Sequence, residues 1–218
     1  AAGLGRANGR HIAFMTGHST VPQNWARDLM ASLGGDVAGA GGPLVLSVNS
    51  SLTDAAIYFL RYSAFMPAAE AFPHPAKEIA GDNAMYRGDI LRSHSDSFAD
   101  GFWEVPFHHL IHAEGYSLMM VPGAAIDFGR SFTLSAISSQ RFAHGRHFGA
   151  WRANVGGTSK IRIMAAAPVV PFLLLARMAS RVVRSRPRML ARFGASSPLI
   201  LWLGICWALG EARGAWET

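Results

Sequence analysis

The chain has 218 residues, half of them hydrophobic, with only 16% charged residues, a mean hydropathy of +0.18 and a formal net charge of +6. That length and composition support one ordinary domain plus an appendage, and so low a charged fraction leans toward membrane contact. A single cysteine, Cys206, excludes an internal disulfide framework and makes a cysteine-based zinc site unlikely; set in an apolar run, it reads as a small buried hydrophobe.

In chain order, His11 to Met15 reads as a strand running into the loop Thr16-Gly17-His18. A helix is expected over 24–33, with Trp25, Leu29 and Leu33 at helical spacing and Gly34-Gly35 ending it. Residues 37–48, broken by Gly41-Gly42-Pro43, read as one or two strands. A strong helix is expected over 52–65, capped by Thr53. Phe72-Pro73-His74-Pro75 marks a loop, Gly81-Asp82-Asn83 a turn, and 84–91 a short helix. After a polar loop at 93–100, residues 103–114 form a helix, with Pro106 in its first turn and Gly115 past its end. Short strands follow at 118–121 and 125–128, then a basic helix over 133–151 that Gly145 weakens.

Gly156-Gly157 separates a domain over 1–157 from a tail over 158–218. Residues 1–160 balance 12 Lys/Arg with 12 Asp/Glu, whereas residues 161–218 hold 8 Arg and 2 Glu. A segment both basic and apolar suits an anionic membrane surface better than nucleic acid, which is not expected as a partner. The tail's apolar stretches, 163–176 and 198–209, are each shorter than the roughly 20 residues needed to cross a bilayer. Arginines 177, 181, 184, 186, 188 and 192 lie between them, and crossing twice would carry this linker over the membrane, against the positive-inside tendency. The expectation is an in-plane anchor or a re-entrant hairpin.

Four segments bear candidate chemistry: Phe14 to Trp25, Gly81-Asp-Asn-Ala-Met-Tyr-Arg87, Gly101-Phe-Trp-Glu-Val105 and Gln140-Arg-Phe-Ala-His-Gly-Arg146. Asp and Asn on a tight turn suit carbohydrate, because they fork hydrogen bonds to adjacent hydroxyls. Glu104 stands at a helix start, where the N-terminus favours the ionised carboxylate. Glu104, His108 and His112 share a helix face; the spacing pairs Glu104 with His108 and leaves His112 at the surface, and it lacks the His-Glu-X-X-His pattern of zinc proteases.

In this order and spacing the four segments resemble family 2 glycosyltransferases, and the ending Trp207-Ala-Leu-Gly-Glu211 resembles the membrane-proximal tail of bacterial members. The resemblance implies an α/β chain: the later half of a GT-A-like fold, followed by helical membrane-associating segments. It implies inverting transfer of a sugar from a nucleotide sugar to a hydroxyl of a glycan or lipid-linked acceptor, at the cytoplasmic face of the inner membrane. Glu104 takes the place of the general base. Asp82, Asn83 and Trp103 fall on the acceptor side, and His18, Arg141, His144 and Arg146 near the donor diphosphate.

The family's metal-binding Asp-X-Asp is replaced by Thr16-Gly17-His18, which puts a Mn²⁺ or Mg²⁺ cofactor in doubt and leaves His18 as the metal-ligand candidate. The glutamine of the processive Gln-X-X-Arg-Trp pattern is Ser138 here, so single transfer is expected. The family's nucleotide-reading strand and helix are expected to precede Ala1. Two alternatives stay open: a non-catalytic membrane-bound scaffold with a degenerate transferase fold, and a metal hydrolase built on the nine histidines.

Overall fold

The structure, a computed structural model, describes residues 2–17, 19–98, 101–129, 132–154 and 156–218. It is a mixed α/β chain. Its elements run α1 (Ala2–Arg6), β1 (His11–Met15), β2 (Ser19–Thr20), α2 (Trp25–Ala31), β3 (Val37–Gly41), β4 (Leu44–Leu46), α3 (Leu52–Tyr62), β5 (His74–Ala76), β6 (Asn83–Arg87) and α4 (Gly88–Ser93). They continue with α5 (Glu104–Ala113), β7 (Ser117–Met120), β8 (Ile126–Phe128), α6 (Leu134–Asn154), α7 (Lys160–Ala166), α8 (Val170–Ser185) and α9 (Leu190–Glu217). Single turns of 3₁₀ helix sit at Ser95–Phe98, Pro122–Ala124 and Pro187–Met189.

The chain divides into two units, and the division is discontinuous. Unit 1 comprises Ala1–Ser47 and Phe65–Gly129; unit 2 comprises Val48–Ala64 and Arg130–Thr218. The boundary expected at 157 is therefore displaced. Helices α3 and α6 both belong with the tail, because their apolar and glycine faces are covered by α9.

Unit 1 is built on a five-stranded sheet in the order β1-β6-β3-β7-β5, antiparallel except for the parallel pair β3 and β7. A three-stranded sheet, β2-β8-β4, stands beside it in sequence and pairs β4 parallel to β8. The helix expected over 84–91 is a strand for its first half. Ala84, Met85 and Tyr86 pair on one side with Phe14, Ala13 and Ile12 and on the other with Gly41, Ala40 and Gly39. A short apolar run flanked by two partner strands is a buried central strand, which periodicity alone does not separate from a helix. Gly39 is required there, because a side chain would strike the Tyr86 ring and Leu118.

The core of unit 1 gathers Ile79, Tyr86, Leu91, Phe98, Phe107, Ile111 and Leu118, all but sealed from solvent. Helix α5 ends as its sequence suggests. Gly115 adopts φ +87°, the Tyr116 N–H donates to the Ile111 carbonyl at 2.9 Å, and the Gly115 N–H donates to that of His112 at 3.1 Å. That is a Schellman closure of the last turn.

Unit 2 is helical. α3 opens with a capping box made by Ser51, not by Thr53 as expected: the Asp54 N–H donates to the Ser51 hydroxyl at 3.1 Å, and the Ser51 N–H donates to the Asp54 carboxylate at 3.0 Å. Its buried face includes Phe59, whose ring meets Phe193 of α9 edge-on at 5.1 Å. α6 and α9 run parallel at backbone contact. Added side chains at Gly145 and Gly149 would land on the Trp207 and Glu211 carbonyls; at Gly210 and Gly214 they would land on those of Phe142 and Arg146. Gly145, which weakens the helix as a propensity, is thus required by the packing. Two Gly-X-X-X-Gly faces have found each other, the small-residue geometry that lets helices touch.

Glu211 is buried at this seam and is neutralised by Arg152 at 2.5 Å. The helical region Pro187–Glu217 is long and apolar enough to cross a membrane, where only the shorter stretch 198–209 is expected from the sequence. α9 alone reaches about 42 Å at 1.5 Å per residue. α7 and α8 are bent by 65° at the segment holding Pro168, as a broken span or re-entrant loop would be. Cys206 is only half-buried.

Candidate functional site

Four of the predicted site residues come together in unit 1. The turn at 81–83 leads into β6, and Asn83 pairs with Met15 at the end of β1. Asn83 is fully buried and its amide is fully engaged. The Trp25 indole N–H donates to Oδ1 at 2.7 Å, while Nδ2 donates to the carbonyls of Pro43 at 3.2 Å and Ala124 at 2.9 Å. The acceptor role expected of Asn83 is therefore corrected: it is a strut that ties α2, the loop before β4 and the loop before β8 to the end of the sheet. The physical reason is depth, since a buried amide must satisfy its donors and acceptor internally.

Asp82, on the same turn, is half-buried, as are Trp103 and Glu104. Trp103 is the N-cap residue of α5, in extended conformation, and Glu104 opens the helix. A side chain at Gly81 would sit 3.3–3.4 Å from the Glu104 side chain, so the glycine keeps one flank of this carboxylate clear. Glu104 takes no hydrogen bond among the described residues. It lies near enough to Tyr86 for its charge to raise the phenol, after burial, which is the larger cause.

One turn further along α5, His108 is completely buried. It is not paired with Glu104, as expected, but bridges Glu78 through Nδ1 and the Tyr86 hydroxyl through Nε2, the latter at 2.8 Å. With Nδ1–H donating to the carboxylate, Nε2 accepts from the phenol, which burial holds protonated well above its usual range. His112 is exposed, as expected, and its ring contacts the Lys77 and Tyr116 carbonyls. The two histidines of the shared helix face are thus occupied by internal bonds. Among the described residues, no group of three His, Cys, Asp or Glu side chains is arranged to hold a metal ion. His18 lies outside the described residues. Beside it, the Thr16 and Ser19 hydroxyls bond at 2.8 Å.

Arg141, His144 and Arg146 belong to unit 2, all on α6. Arg146 donates from Nε to Glu217 at 2.5 Å and so is neutralised by α9. Arg141 is pushed down to about 10 by burial first and Arg61 second, and it keeps its charge at neutral pH. His144, partly exposed, is pushed down to about 4 by desolvation, then by Arg141, Arg61 and His147. That shift favours the neutral imidazole over the positive charge expected of it. Arg141 Nη1 donates to its Nδ1 at 3.4 Å.

Comparison of the chain with protein-family models and with curated proteins returned no match. Sequence reasoning missed Glu78 and Tyr86. Glu78 carries no local signal, 30 residues from its histidine. Tyr86 lies in the segment 81–87, which the sequence predicts as a turn and a helix and which the structure makes a strand.

Proposed function

We propose that this chain carries the acceptor side of an inverting, GT-A-like glycosyltransferase that works at the cytoplasmic face of a membrane. The donor is a nucleotide sugar, and the acceptor is a hydroxyl of a glycan or lipid-linked sugar. In the proposed step the acceptor oxygen bonds to the anomeric carbon, the bond from that carbon to the donor phosphate breaks, and the hydroxyl proton passes to Glu104. Asp82 and Trp103 flank the acceptor.

The observation that carries this reading is the setting of Glu104. It is a half-buried carboxylate at a helix start, kept clear on one flank by Gly81 and without a hydrogen bond among the described residues. A carboxylate so placed is ready to receive a proton. Neither Thr16 nor Gly17 offers an anionic oxygen to a cation bridging a diphosphate, and proton transfer to Glu104 is written without one.

The test is sugar transfer by membranes carrying the full reading frame, with a panel of nucleotide sugars, with and without Mn²⁺. Glu104→Gln is expected to lower the rate by about 10²-fold or more while leaving the fold intact. Equal rates for both proteins would remove Glu104 from the chemistry. Absence of transfer with every donor by the folded parent protein would favour the non-catalytic scaffold.

A further inference from the structure

Unit 1 is acidic, yet three of its six Lys and Arg line one cavity. Arg10, Arg87 and Arg92 share with His11, Asp89 and Leu33 a hollow of about 340 Å³. It lies at the end of the β1 and β6 pair where His11 meets Arg87. Met15 and Asn83 pair at the other end, about 13 Å away along β6, and Gly81 and Glu104 belong to that end. The hollow is therefore separate from the carboxylate site.

The three arginines are held differently. Arg87 is neutralised: its Nη2 and Nε donate to Asp89 at 2.6 and 3.3 Å, and its Nη1 donates to the Gly35 carbonyl at 2.8 Å. Arg92 is fixed in place without being neutralised. Its Nη1 donates to the carbonyls of Ala7 at 3.3 Å and Gly9 at 3.2 Å, and it has no ion pair among the described residues. Gly88 makes room for it, because a side chain there would stand 2.9 Å from that Nη1. The Arg10 side chain is exposed and has neither a hydrogen bond nor an ion pair among the described residues, and the His11 ring has none either. Three arginines against one aspartate leave the hollow a fixed charge of +2. The unit around it, six basic residues against eleven acidic, carries −5.

We propose that this hollow binds the phosphate of a small phosphomonoester. Such a group carries about −1.5 to −2 at neutral pH and offers three acceptor oxygens, which matches the fixed charge of the site. Arg10 and Arg92 donate to the phosphate oxygens, His11 adds a ring N–H, and Arg87, locked by Asp89, forms the wall. Half-buried Leu33 faces the rest of the ligand. The volume lies at the low end of the roughly 300–1,000 Å³ of small-molecule sites, so the body attached to the phosphate is small. This assignment does not rest on the transferase reading.

The experiment is calorimetric titration of the full chain, in a neutral detergent at about 0.15 M salt, where distant charges are screened. The probes are glycerol 3-phosphate, inorganic phosphate and glycerol. Glycerol 3-phosphate is expected to bind at least as tightly as inorganic phosphate, and glycerol not at all. Arg10→Gln is expected to weaken binding of the ester about tenfold or more, the loss of one hydrogen bond between charged groups. Arg27→Gln in unit 1 and Arg188→Gln in unit 2 remove the same charge elsewhere and are expected to change it by less than about twofold. In histidine NMR spectra the His11 ring is expected to move on addition of the ester while that of exposed His112 stays.

Equal losses at positions 10 and 188 would overturn the site in favour of general attraction of anions to the basic unit. Binding unchanged in Arg10→Gln or, if that variant does not fold, in Arg10→Lys, which keeps the charge but loses the fork, would overturn it outright. So would a folded parent protein that binds no phosphate, or one that binds it with the His11 ring unmoved. Tighter binding of inorganic phosphate than of the ester would overturn the ester assignment in favour of the free ion.

Discussion

The two units carry opposite charge and are held together in different ways. Unit 1 has six Lys and Arg against eleven Asp and Glu, whereas unit 2 has fourteen against three. The overall +6 hides an acidic sheet domain and a strongly basic helical one. The same side chain feels the difference. His94 of unit 1 is raised by the Ile90 carbonyl and by Glu114, while His144 of unit 2 is lowered by burial and by the arginines around it. Unit 1 closes its sheet end with buried side-chain hydrogen bonds centred on Asn83. Unit 2 brings two helices to backbone contact through four glycines. A polar strut suits strands whose edges meet loops, and a small-residue face suits helices in a basic, apolar unit.

The sharpest way to break this comparison is Asn83→Ala. It strands the Trp25 indole and two carbonyls inside unit 1, and it is expected to cost about 4 kcal/mol at 1–3 kcal/mol for each unsatisfied group. Hydrogen exchange should accelerate in unit 1 with unit 2 unchanged; acceleration confined to unit 2 would refute the strut. Next in size is Gly214→Ala, whose new methyl meets the Arg146 carbonyl. It is expected to destabilise unit 2 by about 3 kcal/mol by thermal unfolding. A neutral result would mean that α6 and α9 do not touch there.

The smallest effect, below about 1 kcal/mol for a partly exposed group, is the pH response of the two histidines. His144 has a folded value below its unfolded one. Its contribution is therefore fully present above about 6.5 and lost as pH falls toward 4. His94 is raised, so its contribution is present below 6.5 and lost as pH rises through its folded value. Histidine NMR titration should show the two moving apart, and coincident midpoints would show that the charge asymmetry is not felt.

Much of this was legible from residues alone. The helix over Glu104–Ala113 announced both its ends with Pro106 and Gly115, and 37–48 resolved into two strands at its Gly-Gly-Pro break. β6 differs from the expected helix because its apolar stretch, Ala84 to Tyr86, is too short to carry a period that separates a buried strand from a helix, and only its two partner strands decide. The role of Asn83 followed that error, since a turn residue meets solvent and the first residue of a central strand does not. The second apolar stretch of the tail is expected to start at Pro198, yet α9 begins at Leu190 and runs through the proline. Gly145 read as a helix weakness because propensity looks along one helix, whereas the reason for the glycine lies on another. Glu104 and Gly81 lie 23 positions apart in the sequence, and their approach is what the fold adds.

The excursion of residues 48–64 into unit 2 has a consequence in time. α3 leaves the ribosome with its apolar face bare, and Arg192 of α9, which donates to the Ser50 hydroxyl just ahead of the helix, comes 142 positions later. At ordinary elongation rates that is an interval on the order of ten seconds. Throughout it the nascent chain carries an uncovered aromatic helix, and until Phe128 has emerged the sheet domain around it in sequence is itself missing strands, so α3 is the segment where a chaperone or the membrane surface would be met first.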